Sequence, residues 1–130
     1  LNYYFVNKKF YIVDAPGYGY AKRSKQSIES YYKMLNDFLE NQKELALICL
    51  LIDFKVGPTK DDIDVYNQLI KYKKPLIVVA TKVDKIAKTK RNKKKKEIQS
   101  LLPQNIIEVS NTKKIGIIDL QKIILKKIEE

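Results

Sequence analysis

The chain is 130 residues long, with 45% hydrophobic and 32% charged residues; that is enough for one domain with a buried core, and no apolar run is long enough to cross a bilayer, so no membrane partner is expected. It contains no histidine and one cysteine, Cys49, which sets aside His-based acid/base chemistry, disulfides and most transition-metal sites and leaves carboxylates and hydroxyls, groups suited to Mg²⁺. Lys and Arg number 26 against 15 Asp and Glu, a formal charge of +11, which draws such a chain toward polyanions such as RNA; a Lys-, Asn- and Ile-heavy genome bias produces the same balance.

In chain order, Leu1 to Val6 and Phe10 to Val13 read as strands, separated by Asn7-Lys8-Lys9 at hairpin spacing. Gln26 to Asn41 carries Ile28, Tyr31, Tyr32, Leu35, Phe38 and Leu39 at helical spacing, one core-facing stripe. Leu45 to Ile52 is a continuous apolar run ending at Asp53, the pattern of a strand buried on both faces of a parallel sheet, and Cys49 within it reads as a small core residue. Gly57-Pro58 breaks the chain. Thr59 is placed to cap the next helix, with Asp61 and Asp62 at its positive end and Ile63, Tyr66, Leu69 and Ile70 as its buried stripe. Pro75 to Ala80 predicts a strand, followed by a basic helical segment through Leu102. Ile106 to Val109 predicts a short strand, and Ile117 to Ile128 a last helix buried through Ile117, Leu120, Ile124 and Ile128. Strand and helix alternate to the end, so the fold class is α/β, a mostly parallel sheet with helices on both faces that begins with one antiparallel hairpin.

Two loops carry chemistry. Asp14-Ala15-Pro16-Gly17-Tyr18-Gly19-Tyr20-Ala21 follows a strand; Asp14 suits a Mg²⁺-bound water and the Gly17 N–H suits a terminal phosphate, while an Asp-x-Pro-Gly stretch also serves simply as a tight turn. Thr81-Lys82-Val83-Asp84-Lys85 follows the next-to-last strand. Guanine presents two donors, N1–H and the 2-amino group, that one carboxylate accepts as a pair, and Asp84 is the candidate. Lys82 suits the base face with its methylene stem, and Thr81 a bond between neighbouring loops. Val109 to Gly116 follows the last strand, where a loop can close over a purine. A Gly-x-x-x-x-Gly-Lys-Ser/Thr phosphate loop does not occur in the chain.

Together these runs resemble the EngB-type GTP-binding proteins, related to the translation-factor GTPases, which act in assembly of the large ribosomal subunit. The extended run from Asp14 to Ala21 is the most specific part of the resemblance. Thr81 to Lys85 matches the guanine motif, and Ser110, with Lys113, Lys114 and Gly116, resembles the base-closing loop; Asn111 stands where a small residue is usual, and Lys55 stands at the Arg of an Asp-x-Arg-x-Gly stretch beginning at Asp53. The resemblance implies a single GTPase domain over residues 1–130, with a P-loop GTPase-like sheet lacking its first strand and helix. It also implies GTP or GDP as ligand, Mg²⁺ held through Asp14, and nucleotide contacts from Asp14, Gly17, Thr81, Lys82, Asp84, Ser110 and Asn111. Tyr18 stands where small GTPases place a water-orienting Gln, which implies slow intrinsic hydrolysis, with Gly17 to Lys25 as a switch. Since the absent strand would lie between those ending at Asp14 and Asp53, the chain alone is expected to bind GTP weakly and to exchange strands or aggregate. Large-subunit ribosomal RNA is the implied partner, in a bacterial cytoplasm or an organelle with bacterial-type ribosomes.

The Lys85 to Lys96 run is dense enough to engage several phosphates and equally suits a solvated helix start. Two other functions fit parts of the pattern: a basic, non-catalytic RNA-binding α/β module, and a phospho-acceptor domain using Asp14, Asp53 and Lys82.

Overall fold

The computed structural model describes residues 1–18 and 24–130, which form two compact units, Leu1–Asn41 and Gln42–Glu130. Gly19, Tyr20 and Ala21 of the run beginning at Asp14, and the middle of the expected switch, lie outside the described residues.

In the first unit, β1 (Asn2–Val6) and β2 (Phe10–Asp14) form an antiparallel hairpin with Phe5 opposite Tyr11 and Asn2 opposite Asp14. Asn7 and Lys8 both have positive φ, 51° and 55°, and the Lys9 N–H donates to the Val6 carbonyl at 2.9 Å. That geometry gives the turn the twist of its flanking strands, and Asn tolerates it well. The Phe5 and Tyr11 rings lie 4.9 Å apart. Helix α1 (Lys25–Asn41) opens with Ser24, whose Oγ accepts the Ser27 N–H at 3.1 Å. Of its apolar stripe, Tyr31, Leu35 and Leu39 are buried, four residues apart on one face; Ile28, in the first turn, is exposed.

The second unit holds a three-stranded parallel sheet in the order β3 (Ile48–Asp53), β4 (Leu76–Thr81), β5 (Ile106–Glu108). β4 is central. Its residues from Leu76 to Ala80 are all buried, as a β-branched run between two partners should be. β3 departs from the expected pattern: Leu50 and Ile52 are buried, but Leu51 between them is 58% exposed. The cause is the alternation of side chains along a strand, combined with β3 pairing only with β4 among the described residues.

Helix α2 (Lys60–Leu69) starts at a reciprocal cap, in which the Thr59 side chain accepts the Asp62 N–H at 3.1 Å and the Asp62 carboxylate accepts the Thr59 N–H at 2.8 Å. Tyr66 and Leu69 are buried as expected, joined by Val65. Ile70 is exposed, a correction to the expected stripe: the chain tightens there into a 3-10 turn, Ile70–Tyr72, which takes Ile70 off the helical face. Helix α3 (Lys88–Leu101) is anchored by Ile98 and Leu102, both fully buried. Helix α4 (Ile117–Glu129) sets Ile117, Leu120 and Ile123 against Ile77, Val79 and Val109. None of its side chains is fully buried, because contact with the sheet along one side leaves the flanks of its wide apolar face open; Ile124 and Ile128, expected inside, are half-buried.

Candidate functional site

The C-terminal ends of the three parallel strands deliver their loops to one edge, the usual ligand side of such a sheet. The parallel register sets Asp53 beside Thr81, and two bonds fasten the loops that follow: the Phe54 N–H donates to the Thr81 carbonyl at 2.9 Å, and Thr81 Oγ1 donates to the Ile52 carbonyl at 3.1 Å. Phe54, fully buried, holds this corner in the core.

Lys82 then turns the chain with φ 61°, and Val83–Lys85 makes a 3-10 turn carrying Asp84. The turn cannot drift, because Val83 is fully buried and its N–H donates to the Val109 carbonyl at 3.1 Å, while the Val109 N–H donates to the Ala80 carbonyl at 2.8 Å. Loop and neighbouring strand are thereby fixed together.

Asp84 Oδ1 accepts the Ser110 hydroxyl at 2.7 Å. Ser110 is fully buried and fully used: its Oγ also accepts the Lys113 N–H at 3.1 Å, and its backbone exchanges two 3.0 Å bonds with Ile115. The loop returns through Gly116, whose φ is 70° and whose Cα lies so close to the Glu108 carbonyl that a Cβ would overlap it. Glycine is required at that point. The Ser110 hydrogen bond above all, helped by the nearby Lys85 and Lys113 charges, holds the Asp84 carboxyl below the ordinary aspartate range. A carboxylate has about four acceptor positions, so Asp84 keeps capacity for a second donor pair.

Asp53, which the sequence reading placed at a strand end and offered only as a phospho-acceptor, joins the site through Lys82. Asp53 Oδ1 accepts the N–H groups of Lys55 and Val56 at 2.8 and 3.0 Å, and Oδ2 lies 3.4 Å from Lys82 Nζ. Partial burial pushes Asp53 up, but the Val56 and Lys55 N–H groups and the Lys82 ammonium outweigh it and bring its carboxyl below the usual range. An Asp at a strand end two and three residues before backbone donors was the available signal. Gly57 belongs to the same turn, its N–H donating to the Asp53 carbonyl at 2.8 Å with no room for a Cβ.

The structure therefore brings Thr81, Lys82, Asp84 and Ser110 together at one sheet edge, with Asn111 exposed beside Ser110. Asp14, Gly17 and Tyr18 belong to the other unit: Asp14 ends β2, exposed, Gly17 follows it, and the Tyr18 ring meets the Tyr31 ring edge-on at 6.0 Å. Cys49 is half-buried beneath α4, and that burial pushes its thiol up, as befits an unreactive core residue.

A parallel sheet whose loop ends carry Thr-Lys-x-Asp, braced by a buried serine from the next loop, defines the G-domain class of GTP-binding proteins. A family model described as "Ferrous iron transport protein B" matches residues 2–124, a G-domain family to which the chain belongs; iron transport is what that description says of its own members. Within that class the chain belongs to the EngB family. It is 44% identical over 119 residues to a probable GTP-binding protein EngB of Acholeplasma laidlawii, covering 90% of this chain and 62% of the relative, and 36% identical to that of Lactobacillus helveticus, covering 100% and 69%. The chain thus spans about two thirds of these relatives' length. A crystal structure described as a probable GTP-binding protein engB superposes with TM-score 0.77 at 22% identity over 92% of this chain and 76% of that one. Translation elongation factor SelB from Methanococcus maripaludis, apo form, follows at 0.69 and 21% identity, covering 91% of this chain and 25% of that one. Both share the fold. No helix among the described residues is long and apolar enough to cross a membrane.

Proposed function

We propose that this chain supplies the guanine-recognition part of a GTP-binding, GTP-hydrolysing protein that acts in assembly of the large ribosomal subunit, in a bacterial-type cytoplasm. The observation that carries the reading is the Asp84 carboxylate, held ionised and oriented by the buried Ser110 hydroxyl at 2.7 Å. So held, it accepts the guanine N1–H and 2-amino group as a bidentate pair; adenine presents an acceptor at the ring nitrogen and leaves the carboxylate poorly paired. The Lys82 ammonium, tied to Asp53, leaves its methylene stem to lie along the base, and the loop at Ser110 and Asn111 closes its far edge.

For the phosphates the EngB resemblance offers Asp14, one exposed carboxylate at a strand end. That suits Mg²⁺, which keeps waters and takes most of its oxygens from phosphates. The ion would neutralise charge developing on the phosphates; Asp14 would orient one of its waters, and the Gly17 N–H would donate to the terminal phosphate. Tyr18, a phenol in place of a carboxamide, orients an attacking water poorly, so intrinsic hydrolysis is slow and depends on a further group. The resemblance to the EngB type and the chain's +11 charge support the ribosomal role.

Calorimetry on the protein containing this chain tests the proposal. GDP should bind at least about 100-fold more tightly than ADP. Asp84→Asn should lose GDP and gain XDP, whose C2 carbonyl needs a donor where guanine needs an acceptor. Equal binding of GDP and ADP would refute the base site.

A further inference from the structure

Helix α3 concentrates seven of the chain's 26 Lys and Arg residues into fourteen positions, with Glu97 as the one carboxylate. Such a helix should pair its charges or suit them to its dipole, and α3 does neither. Its first turn holds Lys88, Lys90 and Arg91 and no acid, the positive end of the dipole facing further positive charge, and its last turn has no base. Ala87 provides no side-chain cap. None of the ion pairs among the described residues involves α3; Arg91 Nε donates to the Ile86 carbonyl at 2.9 Å. Cations at i and i+4, such as Lys90 and Lys94, repel at a cost of a few tenths of a kcal/mol each. A general lysine bias does not explain the concentration, since α1 and α4 interleave their lysines with Glu29, Asp37, Glu40, Asp119 and Glu129.

The fold holds this unfavourable charge in place: Ile98 and Leu102, fully buried, pin one side of α3, and at about 100° per residue Lys93 and Lys96 lie on the opposite side with Lys88 and Lys90 on its two flanks, all four exposed. Lys88 to Lys96 spans about 12 Å along the axis, the reach of several consecutive nucleotide phosphates. A lipid surface fits less well, because membrane-surface helices present several large apolar residues beside their lysines, and α3 exposes one, Leu101 at its last position, while Ile98 is spent in the core.

We infer that the exposed face of α3 is an RNA-binding surface that engages the phosphate backbone through Lys88, Lys90, Lys93 and Lys96. The phosphate contact stands apart from the nucleotide site; the choice of RNA over DNA rests on the ribosome-assembly reading.

Fluorescence anisotropy with a 20-nucleotide RNA hairpin, titrated across KCl concentrations, tests it on the full protein. Changing Lys88, Lys90, Lys93 and Lys96 together to Gln should weaken binding at least tenfold at 0.1 M KCl and flatten the log K against log salt slope by about 3, roughly 0.7 to 0.9 per lost contact. Changing the same four to Arg should keep it. A control with Lys71, Lys74, Lys122 and Lys126 changed to Gln removes equal charge and should lose less than about threefold. Unchanged GDP affinity and circular dichroism in the Gln variant show that folding and the base site are intact, so a failure here and a failure of the GTP reading are separate results. Equal losses in the two Gln variants, or tighter binding to duplex DNA or to phosphatidylserine vesicles than to the RNA, overturn the inference.

Discussion

Ser110 and Asp84, separated by 26 residues, meet at 2.7 Å between Oγ and Oδ1, the serine buried and the carboxylate left open to a ligand. One neutral hydroxyl thus does two things: it lowers the proton affinity of the carboxylate and fixes its plane. Ser110→Ala should leave the fold intact, raise the Asp84 pKa toward the ordinary value of 3.8, and weaken GDP binding by about ten- to a hundredfold, the scale of a hydrogen bond to a charged group. Calorimetry at pH 7 reads the affinity and carboxyl-resolved NMR titration the pKa; unchanged values of both would contradict the role given to Ser110.

Asp53 separates two effects in one side chain. Asp53→Asn keeps an acceptor for the Lys55 and Val56 N–H groups and loses the ion pair to Lys82, whose ammonium is largely exposed. Its effect on stability should be under about 1 kcal/mol, as for exposed pairs, with a two- to fivefold loss of GDP affinity as Lys82 is freed. Asp53→Ala removes the turn as well and should cost a further ~1 kcal/mol in urea unfolding.

With no histidine present and the Cys49 thiol pushed up by burial, no side chain is expected to change charge between about pH 5 and 8. The affinity for guanosine, which carries no titrating phosphate, should be flat across that range. Asp84 and Asp53 both titrate lower in the folded chain than in the unfolded one, so their contribution to stability is complete above the unfolded-state value and is lost as pH falls through the folded-state values, below about 4. A break in guanosine affinity near pH 6.5 would contradict this assignment of charges.

Gly116 joins the base loop to α4 where both φ and space exclude a side chain. Gly116→Ala should destabilise the second unit by at least about 2 kcal/mol, a left-handed penalty of about 1 to 2 kcal/mol plus displacement of the Glu108 carbonyl. Guanidinium unfolding followed by circular dichroism measures it. The Ser110–Asp84 distance depends on the same loop, so nucleotide affinity should fall with stability.

Each helix and strand was legible in the residue order, since apolar spacing of two or of three to four reports which side of an element is buried whatever it packs on. Thr59 with Asp62, Asn7 with Lys8, and the run from Thr81 to Lys85 carry their local meaning within a few residues. Partners far apart in the chain were not legible. Leu51 is exposed because β3 pairs with one strand, Ile70 because a helix tightens beside it, and α4 is half-covered because it meets the sheet along one side. Lys82 finds Asp53, and Thr81 finds the Ile52 carbonyl 29 residues away, only because parallel pairing sets β3 and β4 in one register. Local preference and hydrophobic period are properties of short segments, as is the turn that Asp53 makes with Lys55 and Val56, whereas the contacts of Asp84 with Ser110 and of Asp53 with Lys82 exist only because the parallel sheet brings those loops together.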